Sequence, residues 1–210
     1  MVKKREIPSV IRHILDIDTQ LSKTFVKWAE NLAFTPQIMR YCTALELSCH
    51  GITWFISLIA FIWILDNKSL YQMQVNLLIA LLLDIIVIAV LKAMTRRRRP
   101  TINKDPTSIG PDKYSFPSGH CSRSMLIFYF FKYLYPISSI FLTLMLIWVF
   151  AVGISRVLMK KHYILDVSAG LFVGYVEGML MSLLYLDEKT CFYLIDWISD
   201  EKIPGAEYGV

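Results

Sequence analysis

Four long apolar runs, at 46–65, 75–94, 137–153 and 164–185, decide what this chain can fold into. Each is about 17–22 residues long, and about 20 apolar residues at 1.5 Å rise cross roughly 30 Å of hydrocarbon. Inside lipid every backbone N–H and C=O needs an internal partner, so such runs become transmembrane helices. A fifth run, 119–135, opens polar with His120, Ser122, Arg123 and Ser124 before turning apolar at Met125, Leu126 and Ile127. It predicts a span that begins in a water-accessible pocket. The expected fold class is all-α, an integral-membrane helical bundle of about five transmembrane helices. The chain's 55% hydrophobic content exceeds the roughly 45–50% of soluble domains.

The organisation read from the pattern is a basic arm and amphipathic interfacial N-terminal helix at 1–44, a transmembrane domain at 45–186 and an acidic polar tail at 187–210. In the first segment Ile11, Ile14, Leu15, Leu21, Phe25, Trp28 and Leu32 recur near helical spacing among Arg12, Asp16, Asp18, Lys23 and Lys27. Such a helix lies in the membrane interface or packs on the bundle's own face. No apolar run with a small-residue cleavage site stands near the N-terminus, so the first span is expected to act as the targeting signal. Cys42, Cys49, Cys121 and Cys191 form no CxxC pair and read as reduced and structural, with Cys121 the one candidate reactive thiol.

Threading five spans puts the N-terminus, the 95–117 loop and the 155–163 loop on one side. Lys3, Lys4, Arg5, Arg12, Arg96, Arg97, Arg98, Arg99, Lys160 and Lys161 share that side, whereas the tail holds six acids against two lysines. The positive-inside tendency makes the basic side cytosolic.

That side also gathers three motifs. Lys92 is followed after six residues by Arg99 and Pro100. The turn Tyr114-Ser115-Phe116-Pro117-Ser118-Gly119-His120 opens the third span. Ser155 and Arg156 precede His162 by five residues, and Asp166 follows after three more. This triplet resembles the signature of the type-2 phosphatidic acid phosphatase superfamily. Four consecutive arginines before Pro100, and Asp112-Lys113-Tyr114 before the turn, look like its polyisoprenoid diphosphate branch, the type-six phospholipid phosphatases or presqualene diphosphate phosphatases.

The resemblance implies a metal-independent lipid phosphatase with no cofactor, acting on presqualene, farnesyl or geranylgeranyl diphosphate in the endoplasmic reticulum or nuclear envelope. Its partners would be the lipid substrate and the bilayer, not nucleic acid. The catalytic residues it implies are His162 as nucleophile, His120 as acid and Asp166 as the partner of His162. Lys92, Arg99, Pro100, Ser118, Gly119, Ser155 and Arg156 would bind substrate.

Physical chemistry gives the same distribution of tasks. Phosphoryl transfer needs fixed cations and N–H donors around the equatorial oxygens, which Lys92, Arg99, Arg156 and the helix start at Ser118, Gly119 and His120 can supply. Glycine at 119 would let the backbone approach closely. His162 and Asp166 are one helical turn apart, so a carboxylate on one ring nitrogen would leave the other free to attack. Arg96, Arg97 and Arg98 read as headgroup or topology cations, and Tyr163 and Phe116 as packing residues. Asp84 and Glu177, acids within spans, read as an interhelical polar contact or a layer beneath the phosphate site. A metal held by His162, Asp166 and His120 is disfavoured, because three nearby cations would repel a divalent ion. The rival readings are a broad phosphatase of phosphatidic and lysophosphatidic acid, and a catalytically inactive membrane scaffold. The intact His120, His162 and Asp166 speak against the scaffold. The related vanadium haloperoxidases are soluble, and the spans exclude them.

Overall fold

The computed structural model describes residues 8–33, 36–65, 67–101 and 113–199. Expectations attached to Lys3, Lys4, Arg5, Asp112 and the 200–210 part of the tail lie outside these residues. Eight α-helices are described: α1 Ser9–Ala33, α2 Pro36–Ser48, α3 Gly51–Leu65, α4 Tyr71–Thr95, α5 Gly119–Tyr129, α6 Ser139–Leu158, α7 Ile164–Leu184 and α8 Glu188–Ser199.

Among the described residues, three helical segments are long and apolar enough to cross a membrane: Lys68–Thr95, which includes a 3-10 turn before α4, Ser139–Leu158 and Ile164–Leu184. The first expected span is longer than predicted and broken. Helices α2 and α3 are long and apolar enough only together, as a broken span or a re-entrant loop bent by 52°. The break leaves the Cys49 carbonyl without a helical donor, and Arg123 of α5 donates to it at 3.0 Å. A Cβ on Gly51 would lie 3.1 Å from the Arg123 guanidinium, so α3 can begin there only with glycine or by moving that side chain. The expected fifth span is α5, 11 residues, continued by a π-helical turn at Phe130–Leu134; it is shorter than expected and is not among the segments long enough to cross a membrane. It is polar at its start because its neighbours enclose it: Cys121, Ser122, Arg123 and Ser124 are all buried.

Helix α5 packs most extensively on α7. Gly170, Gly174 and Gly178 of α7, one turn apart, line the contact. A Cβ on them would lie 2.4 Å from the Ser118 carbonyl oxygen, 2.1 Å from that of Ser122 and 2.4 Å from the Tyr129 ring. Small residues at this spacing let membrane helices meet backbone to backbone, where dispersion replaces the missing hydrophobic drive. Leu58, Leu77, Leu81, Leu126, Ile127, Phe130 and Met181 fill the core around this pair.

Buried acids tie the centre. Asp84 of α4 accepts from Arg123 at 2.7 Å, and Ser122 donates to Glu177 of α7 at 3.0 Å. Both acids are thus interhelical polar contacts, as one of the two readings had it, and the cation that joins Asp84 is Arg123.

Two terminal segments differ from expectation. The described part of the 187–210 tail is largely α8, which packs on α4 through Cys191 and Ile195 against Tyr71 and Val75. Its connection is clamped by Asn76, which donates to the Leu186 carbonyl at 3.0 Å and accepts from its N–H at 2.8 Å. Helix α1 packs on the bundle, one of its two readings. Asp18, Ser22 and Val26, one turn apart, are buried, whereas Val10, Ile14, Ile17, Leu21, Trp28 and Leu32 are exposed. A largely polar stripe therefore docks on α6 and α7, while an apolar stripe faces outward.

The glycine contact gives a direct test. Gly174→Ala should lower stability by about 3 kcal/mol, the upper end for overpacking, and Gly174→Leu should not yield folded protein. Gly153→Ala, whose Cβ would meet only the Val167 Cγ1 at 3.2 Å, should cost far less. Thermal unfolding of the detergent-purified protein reads the order, and equal losses at 153 and 174 would contradict it.

Candidate active site

Backbone hydrogen bonds stitch the three motifs together. Helix α4 ends at Arg96, whose φ of 52° turns the chain left-handed while its N–H closes on the Lys92 carbonyl at 3.0 Å. The chain then runs extended, and Arg98 bridges antiparallel to Tyr114. Ser115 N–H donates to the Arg97 carbonyl at 2.9 Å, and Thr95 Oγ1 donates to the Phe116 carbonyl at 2.9 Å. From the turn, Ser118 N–H reaches the Asp166 carbonyl at 3.0 Å. Thr101 Oγ1 donates to the Lys160 carbonyl at 2.9 Å and joins the first motif to the third.

His162 sits in the tight connection between α6 and α7. It is 4% exposed, and its N–H donates to the Arg156 carbonyl at 3.3 Å. Its Nδ1 donates to the Ser115 carbonyl at 2.7 Å, while the Asp166 Oδ2 is 3.8 Å away. The hydrogen-bond partner of Nδ1 is thus the carbonyl, with the expected carboxylate paired to the ring at longer range. A carbonyl oxygen only accepts, so Nδ1 carries the proton and Nε2 keeps its lone pair. Burial pushes His162 below the ordinary histidine range, and Arg99 and Lys92 act in the same direction against the opposing Asp166.

Asp166 is fully buried and has other partners. Its Oδ2 accepts from Tyr163 N–H at 2.9 Å, an N-terminal box that closes the first turn of α7, and its Oδ1 accepts from Arg97 at 2.6 Å. Arg97 also reaches Asp18 of α1 at 2.6 Å and stacks on the Tyr163 ring at 4.1 Å. The reading of Arg97 as a headgroup cation is therefore corrected: its guanidinium is spent inside the protein. Tyr163 packs as expected, with Arg97 as its neighbour.

His120 opens α5 with its Nε2 buried and, among the described residues, without a hydrogen-bond partner, and the Ser118 Oγ is in the same condition. The charges of Arg156, Arg123 and Lys92 and the ring of His162 all lie within electrostatic reach of His120. Lys92 is buried at the end of α4, and Arg99 is half-buried. Gly119 packs against α4, where a Cβ would lie 3.2 Å from Ile88 Cγ2, so its small size already serves helix packing. Ser155 turns its hydroxyl back to the Val152 carbonyl at 2.7 Å and accepts from Arg156 Nε at 3.3 Å. It thereby holds the guanidinium. Arg156, also fully buried, pairs with Glu46 of α2 at 2.9 Å, and Lys161 joins the same carboxylate at 2.7 Å. Cys121 is fully buried, as are the other three thiols, and none is disulfide-bonded.

A cavity of about 530 Å³ opens beside His162. Pro100, Thr101, Val157, Lys160 and Tyr163 form one wall, and Thr19, Ser22, Lys23, Val26, Lys27 and Glu30 of α1 form the other. Sequence reasoning missed Asp18, Arg97, Glu46 and Arg123 as parts of this region. The signal available for the first was a buried-face spacing of four residues from Asp18 to Ser22 and Val26.

Residues 74–189 match the PAP2 superfamily. A probable lipid phosphate phosphatase beta from Arabidopsis thaliana is 31% identical over 150 residues, covering 58% of this chain and 70% of that protein. The fold is shared with LpxE from Aquifex aeolicus, at a TM-score of 0.59 and 20% identity over 78% of this chain and 95% of that one. It is also shared with a PAP2-type phosphatidylglycerolphosphate phosphatase from Bacillus subtilis, at a TM-score of 0.62 and 21% identity over 82% and 86% of the two chains. The matched segment spans all three stitched motifs, from α4 to the end of α7, and on that ground this chain belongs to the PAP2 superfamily.

Proposed function

We propose that this membrane phosphatase of lipid phosphates hydrolyses polyisoprenoid diphosphates and monophosphates through a phosphohistidine on His162, without a metal ion. The observation that carries the proposal is the His162 tautomer. With Nδ1–H committed to the Ser115 carbonyl, Nε2 presents a lone pair beside the cavity. In the first step Nε2 bonds to phosphorus as the bond to the leaving oxygen breaks, and His120 gives that oxygen its proton. In the second step His120 takes a proton from water, whose oxygen displaces Nε2 and releases phosphate. Lys92 and Arg99 neutralise the equatorial oxygens, and Ser118 and the N–H groups opening α5 add donors. These cations make a divalent ion unnecessary for charge balance and would repel one.

The choice of a diphosphate is supported by the cations that continue along the cavity past His162, namely Lys160, Lys23 and Lys27. They suit a second phosphate beyond the one under attack. The name of the Arabidopsis relative favours a broader lipid phosphate substrate, which is the second reading. We place the site on the cytosolic face of the endoplasmic reticulum or nuclear envelope, because α1 and the basic loops share its side.

Four outcomes follow. Purified protein in excess EDTA should release phosphate faster from farnesyl or presqualene diphosphate than from phosphatidic acid; the reverse order would favour the broad phosphatase, and loss of turnover restored by Mg²⁺ would sink the metal-free chemistry. His162→Ala should abolish turnover and acid-labile labelling, whereas the His120→Ala defect should shrink for an aryl phosphate, whose leaving oxygen needs little protonation. Because burial depresses His162, kcat/KM should hold as pH falls below about 6.5, the ordinary histidine value, and drop only as His162 itself takes up a proton; an acid limb with its midpoint above that value would contradict the assignment. For the orientation, a glycan acceptor inserted at 101–112 should remain unglycosylated in microsomes.

A further inference from the structure

We propose that Asp18 of α1 and Arg97 form a positioning relay that holds Asp166, and through it the nucleophile His162, so that the amphipathic helix completes the active site. The inference rests on the reading of His162 as nucleophile.

Arg97 stands between two carboxylates. Its Nη2 is 2.6 Å from Asp18 Oδ2, its Nη1 is 2.6 Å from Asp166 Oδ1, and the guanidinium plane lies against Tyr163. The side chains of Arg97 and Asp18 are 12% and 8% exposed, and that of Asp166 is fully buried. Exposed ion pairs contribute little, but a planar fork bonded at both ends in a dry setting fixes orientation as well as charge. The same Asp18 accepts from Leu165 N–H at 2.9 Å through its other oxygen, and Ser22 accepts from Ile164 N–H at 2.9 Å. Two of the free N–H groups that open α7 are therefore capped from α1, where a neighbouring anion also suits the helix dipole.

Arg97 acts on His162 by two routes. Its side chain anchors Asp166 Oδ1 and so fixes the carboxylate whose Oδ2 stands 3.8 Å from Nδ1. Its backbone carbonyl accepts from Ser115 N–H at 2.9 Å and so seats the residue whose carbonyl takes the Nδ1 proton. Without the guanidinium, Asp166 keeps only its bond from Tyr163 N–H and is free to rotate, so the imidazole loses the fixed charge that orients Nε2. Neither Asp18 nor Arg97 lines the cavity beside His162. The relay therefore governs the chemical step and not binding.

The test uses the full chain in detergent micelles with an aryl phosphate and a lipid diphosphate, reading kcat, KM and thermal unfolding for Asp18→Asn, Arg97→Ala, Arg97→Lys and the Asp18→Asn/Arg97→Ala pair. Each single change should lower kcat by about 10–100-fold, the scale on which outer partners and small misplacements act, with KM within about twofold. The pair should be no worse than Arg97→Ala alone, because Asp18 works through Arg97. Methylguanidinium should restore part of the Arg97→Ala rate, and Arg97→Lys should not behave as wild type, since an ammonium cannot span both carboxylates. Should Arg97→Ala fail to fold, Asp18→Asn and Arg97→Lys decide the matter by the same kcat criterion. Wild-type kcat in Asp18→Asn and Arg97→Lys, additive losses in the pair, or losses that track only the folded fraction would overturn the relay. His162→Ala separates the two ideas: substantial turnover there defeats the nucleophile assignment, whereas an inactive His162→Ala beside an unimpaired Arg97→Lys and Asp18→Asn defeats the relay alone.

Discussion

Two backbones touch at the centre of this protein, and the placement of the catalytic groups follows from that contact. Gly170, Gly174 and Gly178 let α7 lie against α5 with no side chain between them. The Ser118 N–H can then bond the Asp166 carbonyl at 3.0 Å, which locks the start of one helix to the start of the other. His120 rides on the first helix and His162 immediately precedes the second. Their separation is therefore set by main-chain packing, the least compressible spacer available, instead of by the rotamers of long side chains.

Cations gathered at a membrane boundary create the opposite problem, since each buried charge needs compensation. Glu46 serves both Arg156 and Lys161, Asp84 serves Arg123, Glu30 serves Lys160, and Asp18 with Asp166 serves Arg97. Three of these acids, Asp18, Glu30 and Glu46, come from α1 and α2, outside the matched family segment. Helices that supply no residue of the three motifs thus supply much of the negative charge that lets the positive site stay folded. Arg156 shows the consequence: its guanidinium is already hydrogen-bonded by Glu46, so a phosphate approaching it meets a pre-oriented but partly neutralised cation.

The spans and the motif residues were legible in the sequence because both are local patterns, one of apolar length and the other of fixed spacing. Boundaries agreed within a few residues for α4, α6 and α7. The first span was misread in extent because Pro36–Ser48 is only weakly apolar and the break at Cys49 and His50 depends on Arg123, a distant residue. Arg97 was hidden among three identical neighbours, where only the extended path after Arg96 distinguishes an inward from an outward side chain. The bond from His162 to the Ser115 carbonyl was invisible for a deeper reason. Residue type announces a carboxylate, but every residue has a carbonyl, and only the turn's conformation selects one. The glycines of α7 did carry a readable sign, three small residues four apart, which the apolar count absorbed.

The docking of α1 also has a meaning in time. This helix leaves the ribosome before every span described here, yet the N–H groups it caps, Ile164 and Leu165, follow Ser22 and Asp18 by 142 and 147 residues. Contacts so distant along the chain form late, because the intervening loop must close first. Through most of translation α1 lacks the α7 N–H groups from which its Asp18 and Ser22 accept. A nascent chain therefore carries no finished phosphatase until α7 has inserted, and the lipids around the translocation site meet the working enzyme only once nearly all of its helices are in place.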